Sequence, residues 1–430
     1  MASAQQNLSP RRLSLNGIFR ALKHRNFRLF FFGQLVSLVG TWMQTVAMAW
    51  LVYRLTNSPF LLGCVGFSLS FPAIIFSPLA GLSADRFDRR KILFMVQALS
   101  MLQAAILTVL IFTHSIQIWQ VMTLSVFLGI LNAFDLPVRQ TFFKDMIEDK
   151  NDLSNAIALN SSVFNASRLI GPAAAGMIIA LWGEAACFLC NAISFIPILL
   201  ALSMMRMPKR VRKAGQGDVM RELKEGVRYA FGFMPIRAIL LLLCALSLLM
   251  GAFQTLLPVF TKEVFGGGPK TLGFLLSFSG AGALVGAFWL AGRQTVVGLG
   301  RHVAVAGMAA GTAMMSFAVL ADVHLASLAA LASGLAMILG IGGSNIILQS
   351  LVDEDKRGRV MSLYGLALVG MAPVGSLAAG ILATRVGIVG TMVLAGSLAT
   401  LAGFLFWLYL PHFRAKVRPV YVEKGILSQV

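Results

Sequence analysis

The chain has 430 residues, 57% apolar and only 12% charged, with a formal net charge of +19. That charged share is about half the level of soluble domains, which excludes an ordinary soluble fold. The 41 Gly residues point the same way, because Gly is more frequent in membrane helices than in soluble ones.

A helical crossing takes ~20 apolar residues. The apolar runs predict twelve spans, at 29–52, 60–84, 92–113, 117–138, 155–181, 185–205, 238–261, 271–292, 302–321, 324–350, 360–384 and 387–411. The expected fold class is therefore all-α and membrane-integral. Residues 1–28 are polar and basic and lack a short apolar core with a cleavage site, so span one is expected to be a retained helix rather than a signal peptide. With that segment in the cytoplasm, nearly every Lys and Arg falls on the cytoplasmic side. The exceptions are Arg54, Lys262, Lys270 and Arg385 on the opposite side, and Arg168 within a span. Basic loops stay inside, so the positive charge is topological and no nucleic-acid partner is expected. Both termini are expected in the cytoplasm, and the protein in the inner membrane with lipid as its surroundings.

Span one carries a polar stripe of Gln34, Ser37, Thr41, Gln44 and Thr45. Between spans two and three, Gly81-Leu82-Ser83-Ala84-Asp85-Arg86-Phe87-Asp88-Arg89-Arg90-Lys91 concentrates six charges in eleven residues. Its basic residues hold the turn in the cytoplasm. Acidic residues contribute little to orientation, which leaves Asp85 to accept from nearby Arg side chains or from the free N–H groups of a helix N-terminus.

Span four places Asn132, Asp135 and Arg139 on one helical face, and Asp135 is the one acidic residue within a predicted span. Either it is a proton site, with burial and Arg139 pulling its proton affinity in opposite senses, or it pairs with Arg139 to pin a helix end at Pro137. In span five, Ser161, Asn165, Arg168 and Pro172 recur three or four residues apart. A buried cation must face protein, water or an anion. Arg168 thus contacts an acidic substrate or a carboxylate such as Asp135, or it is a fixed partner for backbone carbonyls. Cys187 and Cys190 form a CxxC inside span six, with no second pair and no nearby His, and read as core. No metal site and no cofactor are expected.

Residues 207–237 are the longest polar interruption. Within them Met220, Leu223, Val227 and Ala230 share one face of an amphipathic surface helix. This cytoplasmic linker separates an N-terminal six-helix bundle (29–206) from a C-terminal one (238–411), and 412–430 form a cytoplasmic tail. Gly171-Pro172-Ala173-Ala174-Ala175-Gly176 in span five matches Gly375-Ser376-Leu377-Ala378-Ala379-Gly380 in span eleven, 204 residues later. Parallel repeats of this kind are an architecture of secondary transporters. Gln254 in span seven, and Asn345 with Gln349 in span ten, serve helix–helix hydrogen bonds or line a cavity. Gly273, Gly280, Gly282 and Gly286 in span eight permit close helix approach. No acidic residue falls within a C-terminal span. The absence of a Gly-x-x-x-x-Gly-Lys-Ser/Thr loop speaks against ATP-driven transport, and no catalytic residues are expected.

The stretch Gly81-x-x-x-Asp85-Arg86-x-Asp88-Arg89-Arg90 resembles the signature loop of the major facilitator superfamily, with Asp88 in place of its second Gly. Asp135-Leu136-Pro137-Val138-Arg139-Gln140, Asn155-Ala156-Ile157-Ala158-Leu159-Asn160-Ser161 and Arg357-Gly358-Arg359-Val360-Met361-Ser362-Leu363-Tyr364-Gly365 look like the subgroup that includes the enterobactin exporter and macrolide efflux proteins. The resemblance covers nearly the whole chain. It implies that Asp85, with Gly81, Arg86, Arg89 and Arg90, latches the halves near Gly358 and Arg359 when the protein is open outward. It also implies a central cavity lined by spans one, four, seven and ten, making Gln34, Thr41, Gln44, Asn132, Asn165, Gln254, Asn345 and Gln349 candidates for substrate contact. Gly171-Pro172-x-x-x-Gly176 resembles the exporters' antiporter motif without its doubled terminal Gly. The implied activity is proton-coupled export of a small amphipathic, siderophore- or drug-like compound by a monomer. An uncoupled facilitator or importer, and a non-transporting scaffold or sensor, are the alternatives.

Overall fold

In the computed structural model, residues 19–149, 152–205, 227–293 and 295–427 are described, the side chains of 77, 78, 81, 82, 84–86 and 355 excepted. Of the expected linker helix, Met220 and Leu223 lie outside the described residues, whereas Val227 is exposed and Ala230 buried.

Ten helices long and apolar enough to cross a membrane occur among the described residues. They are α1 (Arg25–Thr56), α2 (Pro59–Arg86), α3 (Arg89–Phe112), α4 (Ile118–Met146), α5 (Leu153–Met204), α6 (Met234–Glu263), α7 (Pro269–Ala291), α8 (Leu299–Val319), α9 (Val323–Leu351) and α10 (Glu354–Glu423). Their boundaries follow local chemistry. Asn57 ends α1 in the left-handed region, and the Ser58 hydroxyl, ahead of Pro59, accepts from Leu61 N at 3.3 Å to start α2. Asp88 starts α3 by accepting from Arg90 N at 2.9 Å, and Asp322 starts α9 the same way. Such caps satisfy N–H groups that a helix leaves unpaired at its start. The Asp that departs from the signature pattern at position 88 is therefore a helix cap.

At 52 and 70 residues, α5 and α10 would reach about 78 and 105 Å if straight, far beyond a bilayer core. Each is in fact two helices meeting at one glycine. Gly183 (φ 79°, ψ 175°) joins the segments predicted as spans five and six, and Gly387 (φ 76°, ψ 168°) joins eleven and twelve. Only Gly adopts that backbone readily. The two elbows lie 204 residues apart, the spacing of the sequence repeat.

Two expected ends move. Span four was expected to stop at 138, but α4 passes through Pro137 to Met146, with the Thr141 hydroxyl donating to the carbonyls of Pro137 (3.1 Å) and Val138 (2.9 Å). Asp135 and Arg139 thus sit inside a helix, not at its end. The last helix runs past 411 to Glu423. There Lys424 Nζ donates to the carbonyls of Leu351 (3.1 Å) and Val352 (2.9 Å) at the end of α9, where a cation opposes the negative pole of the helix. Cys187 is buried as expected, but Cys190, three residues on, is exposed on the outer face.

The chain before the linker packs α1 along both arms of α5 and α2 along α4; the chain after it packs α6 along α10, and α8 against α9 and α10. Two seams join these parts, α5 with α7 and α2 with α10. In both seams the backbones touch through glycine. A Cβ on Gly176 would lie 2.8 Å from Pro269 O and 3.3 Å from Gly273 Cα; one on Gly380 would lie 2.8 Å from Pro59 O and 3.2 Å from Gly63 Cα. The ends of α1 and α6 are tied as well: the Tyr53 hydroxyl donates to Glu263, and Lys262 Nζ donates to Asn57 Oδ1 at 2.8 Å. Apolar side chains such as Trp182 (70% exposed) and Phe288 (67%) cover the outside, as lipid contact requires.

Ahead of α1, a 3-10 turn (Arg20–Lys23) docks on the start of α5. Lys23 Nζ (2.7 Å), His24 Nε2 (3.0 Å) and Arg20 all reach Asp152. The Lys23 hydrogen bond, followed by those groups, holds the Asp152 carboxyl below its ordinary value of 3.8. A lowered carboxyl pKa stabilises the docked form above the unfolded value, and that contribution disappears as pH falls through the lowered one. Amide exchange at residues 20–24, corrected for intrinsic rates, is expected to show protection that survives down to pH 3.8 and fails below it. Protection that persists unchanged well below pH 3.8 would remove the Asp152 carboxylate from the account of docking. The glycine seam gives a second test. Gly176→Val is expected to destabilise the fold by about 1–3 kcal/mol, as overpacking does, read as a lower thermal midpoint. Gly358→Ala, where a Cβ meets nothing within 4 Å, is expected to leave it no lower, since Ala is the better helix former.

Candidate functional site

Two chambers lie at the level of the spans, where one central cavity was expected. The first lies within the part of the chain before the linker and is lined by Gln34, Thr41, Gln44, Asn132, Asp135 and Arg139 among others. Asp135 and Arg139 form an ion pair one helical turn apart on α4, and Gln97 Nε2 on α3 donates to Asp135 Oδ1 at 2.9 Å. Gln44 is a tie between helices: its Nε2 donates to Gln103 Oε1 (2.9 Å) and its Oε1 accepts from Asn191 Nδ2 (2.6 Å), joining α1, α3 and α5. Thr41 turns back to Ser37 O at 2.9 Å. Four polar atoms facing this space, Gln34 Oε1, Gln97 Oε1, Ser125 Oγ and Arg139 Nε, are buried without a protein partner. A roomy polar chamber of that kind is suited to ordered water.

The second chamber lies between the two parts of the chain and is mostly apolar. Trp42, Arg168 and Pro172 face Gln254, Phe253 and Ser333 across it. The Arg168 guanidinium carbon lies 5.9 Å from the Trp42 ring centroid, within cation–π range. Gly171 and Gly176 of the antiporter-like stretch are buried beside this space, Gly171 against α1 and Gly176 against α7.

Other predicted residues fall elsewhere. Asn165 donates to Ser161 O at 2.8 Å along its own helix, and Gln349 donates to Asn345 Oδ1 at 2.6 Å; none of the three lines either chamber. Gly81, Asp85 and Arg86 belong to the last turns of α2, where side chains are not described. Arg89 Nη1 donates to Thr141 O (3.2 Å) and Asp145 Oδ2 (3.1 Å) near the end of α4. Arg90 donates to Met205 O (2.9 Å) and Ser203 O (2.6 Å) at the end of α5. Both therefore cap helix ends within the same part of the chain. Gly358 is exposed and Arg359 half-buried on the first turns of α10.

Removing one partner of a buried ion pair leaves an uncompensated charge. Asp135→Asn is expected to cost on the order of 3 kcal/mol in stability, whereas Asp135→Asn with Arg139→Gln is expected to recover most of it. Thermal denaturation of the two variants measures the difference, and a double variant no better than the single one would remove the pair from the account of stability.

Residues 16–421 match the family described as transmembrane secretion effectors. The staphyloferrin A transporter of Staphylococcus aureus (strain NCTC 8325 / PS 47) is 28% identical over 373 residues, 86% of this chain and 92% of the relative. The multidrug efflux pump Tap of Mycolicibacterium fortuitum is 26% identical over 90% and 96% of the two chains, and macrolide efflux protein A of Streptococcus pyogenes 22% identical over 87% and 95%. Among solved structures, a bacterial homolog of the human lysosomal transporter Spinster, inward-facing and unoccupied, superposes with a TM-score of 0.69 at 14% identity, covering 92% of this chain and 98% of its own. That likeness is one of fold. With its signature loop, its apolar helices and its transporter relatives together, the chain belongs to the transmembrane secretion effector family of major facilitator transporters.

Proposed function

We propose that this protein exports small amphipathic organic compounds, of siderophore or drug type, in exchange for protons. Twelve spans form two six-helix bundles, 29–206 and 238–411, that rock about their common seams as a monomer. The observation that carries the reading is the pairing of Gly176 with Gly273 and of Gly380 with Gly63: two corresponding contacts, with Gly176 and Gly380 204 residues apart, across which two bundles can pivot. The elbows at Gly183 and Gly387 supply the turns that complete twelve crossings.

With both termini cytoplasmic, the seams and the Tyr53–Glu263 tie lie toward the outer face, so the state described is closed outward and open inward. Asp85, with Arg86, latches the first turns of α10 at Gly358 and Arg359 in the outward-open state, while Arg89 and Arg90 keep the loop fixed to its own bundle. Asp135 is the proton site. Protonation removes the charge that holds Arg139 and so loosens α4 and α3, in a chamber where unpartnered polar atoms favour water. The relatives that carry staphyloferrin A and macrolides support the substrate class. The full pairing of Asp135 and the lack of any other acid in the spans favour an uncoupled facilitator as the second reading.

Reconstitution into vesicles separates them. Efflux of a candidate compound is expected to speed up under an imposed inward proton gradient and to lose that response in Asp135→Asn at matched protein amounts. Efflux indifferent to the gradient in the wild type supports the facilitator; a folded protein that moves no compound overturns transport altogether.

A further inference from the structure

We propose that the chamber between the bundles takes an organic anion, with a carboxylate seated on Arg168 and an apolar body lying along Trp42 and Phe253. The proposal rests on the exporter reading above and names its cargo. Among the described residues lining this space, Arg168 is the one charged side chain. Among the described residues it has no acidic partner: its aromatic neighbour is Trp42, and Asp135, the one carboxylate within a predicted span, faces the other chamber and is held there by Arg139. The opposite wall has no acid to offer, because no Asp or Glu occurs between Glu263 and Asp322, nor between Asp322 and Asp353.

A guanidinium at membrane depth needs compensation, and here the protein leaves it to the occupant. The planar fork of Arg matches a carboxylate with two parallel hydrogen bonds. Further polar groups stand ready nearby. Ser333 Oγ, buried on α9 without a partner, and the exposed Gln254 on α6 face the same space, while the remaining wall is apolar. A hydrophobic body with one anionic end satisfies every one of these features; a cationic drug would meet Arg168 as a like charge.

The test uses the full chain in phosphatidylcholine nanodiscs and matched pairs of acid and amide: naphthylacetate with naphthylacetamide, and dodecanoate with dodecanamide. At least one acid is expected to bind roughly tenfold or more tighter than its amide, the scale of a charge-assisted hydrogen bond. Arg168→Gln removes that preference, Arg168→Lys keeps part of it, and amide binding stays equal in all three, which also reports an intact fold. Because Arg168→Gln can fail to fold, the wild type is also treated with phenylglyoxal: the acids slow modification of Arg168 several-fold and the amides do not. No preference in any pair, a preference that survives Arg168→Gln, or equal modification rates overturns the proposal. Displacement of the acid by phosphatidylglycerol added to the nanodiscs also overturns it, because the oxyanion on Arg168 would then be a lipid phosphate. Amide efflux by the wild type with no acid preference would sink the charge assignment alone and leave the exporter reading standing.

Discussion

Helices in a bilayer gain little from the hydrophobic effect when they meet, since lipid tails are as apolar as their side chains. Association then rests on how closely backbones approach, and that constraint shapes this protein. Gly176 against Gly273, and Gly380 against Gly63, bring α5 onto α7 and α10 onto α2 with no side chain between them. The same seam builds the mixed chamber. A Cβ on Gly280 would lie 3.0 Å from Arg168 O, so the backbone that carries Arg168 is positioned by the contact that joins the two parts.

The two parts hold themselves together by different means. Before the linker, amides and ions link helices far apart in sequence: Gln44 with Gln103 and Asn191, Gln97 with Asp135, and Arg89 and Arg90 with helix ends. After it, apolar packing dominates, with Phe253, Phe260 and Phe265 arranged edge-on around Phe317 at 5.4–5.8 Å. A polar network fixes geometry because an unpaired buried amide is costly, whereas an apolar cluster tolerates sliding. The charge chemistry is thus concentrated in the more rigid part.

Much of the fold was legible because membrane spans announce themselves by length. The pairing of Asp135 with Arg139 was legible too, since helical spacing alone places them on one face. Gln97, Gln103 and Asn191 were missed: a single amide in an apolar run carries no spacing signal, and its partner arrives from another helix. The end expected at Pro137 failed because membrane helices tolerate an internal proline, and α4 stays helical to Met146. Asn165 and Gln349 look like cavity residues on a helical wheel yet bond along their own helices. The glycine seam draws on both parts of the chain, since backbone proximity needs small residues and not a particular charge pattern.

The elbows at Gly183 and Gly387 make hairpins with almost no connecting chain. Elsewhere on that face, Val264–Gly268 and Leu320–Asp322 provide a few residues between helices, enough to accept an epitope tag or a protease cut. At the two elbows there is no such slack. Any residue added there must lengthen a helix or unwind one, so variation in loop length on that face, and any recognition that depends on it, is confined to the other turns.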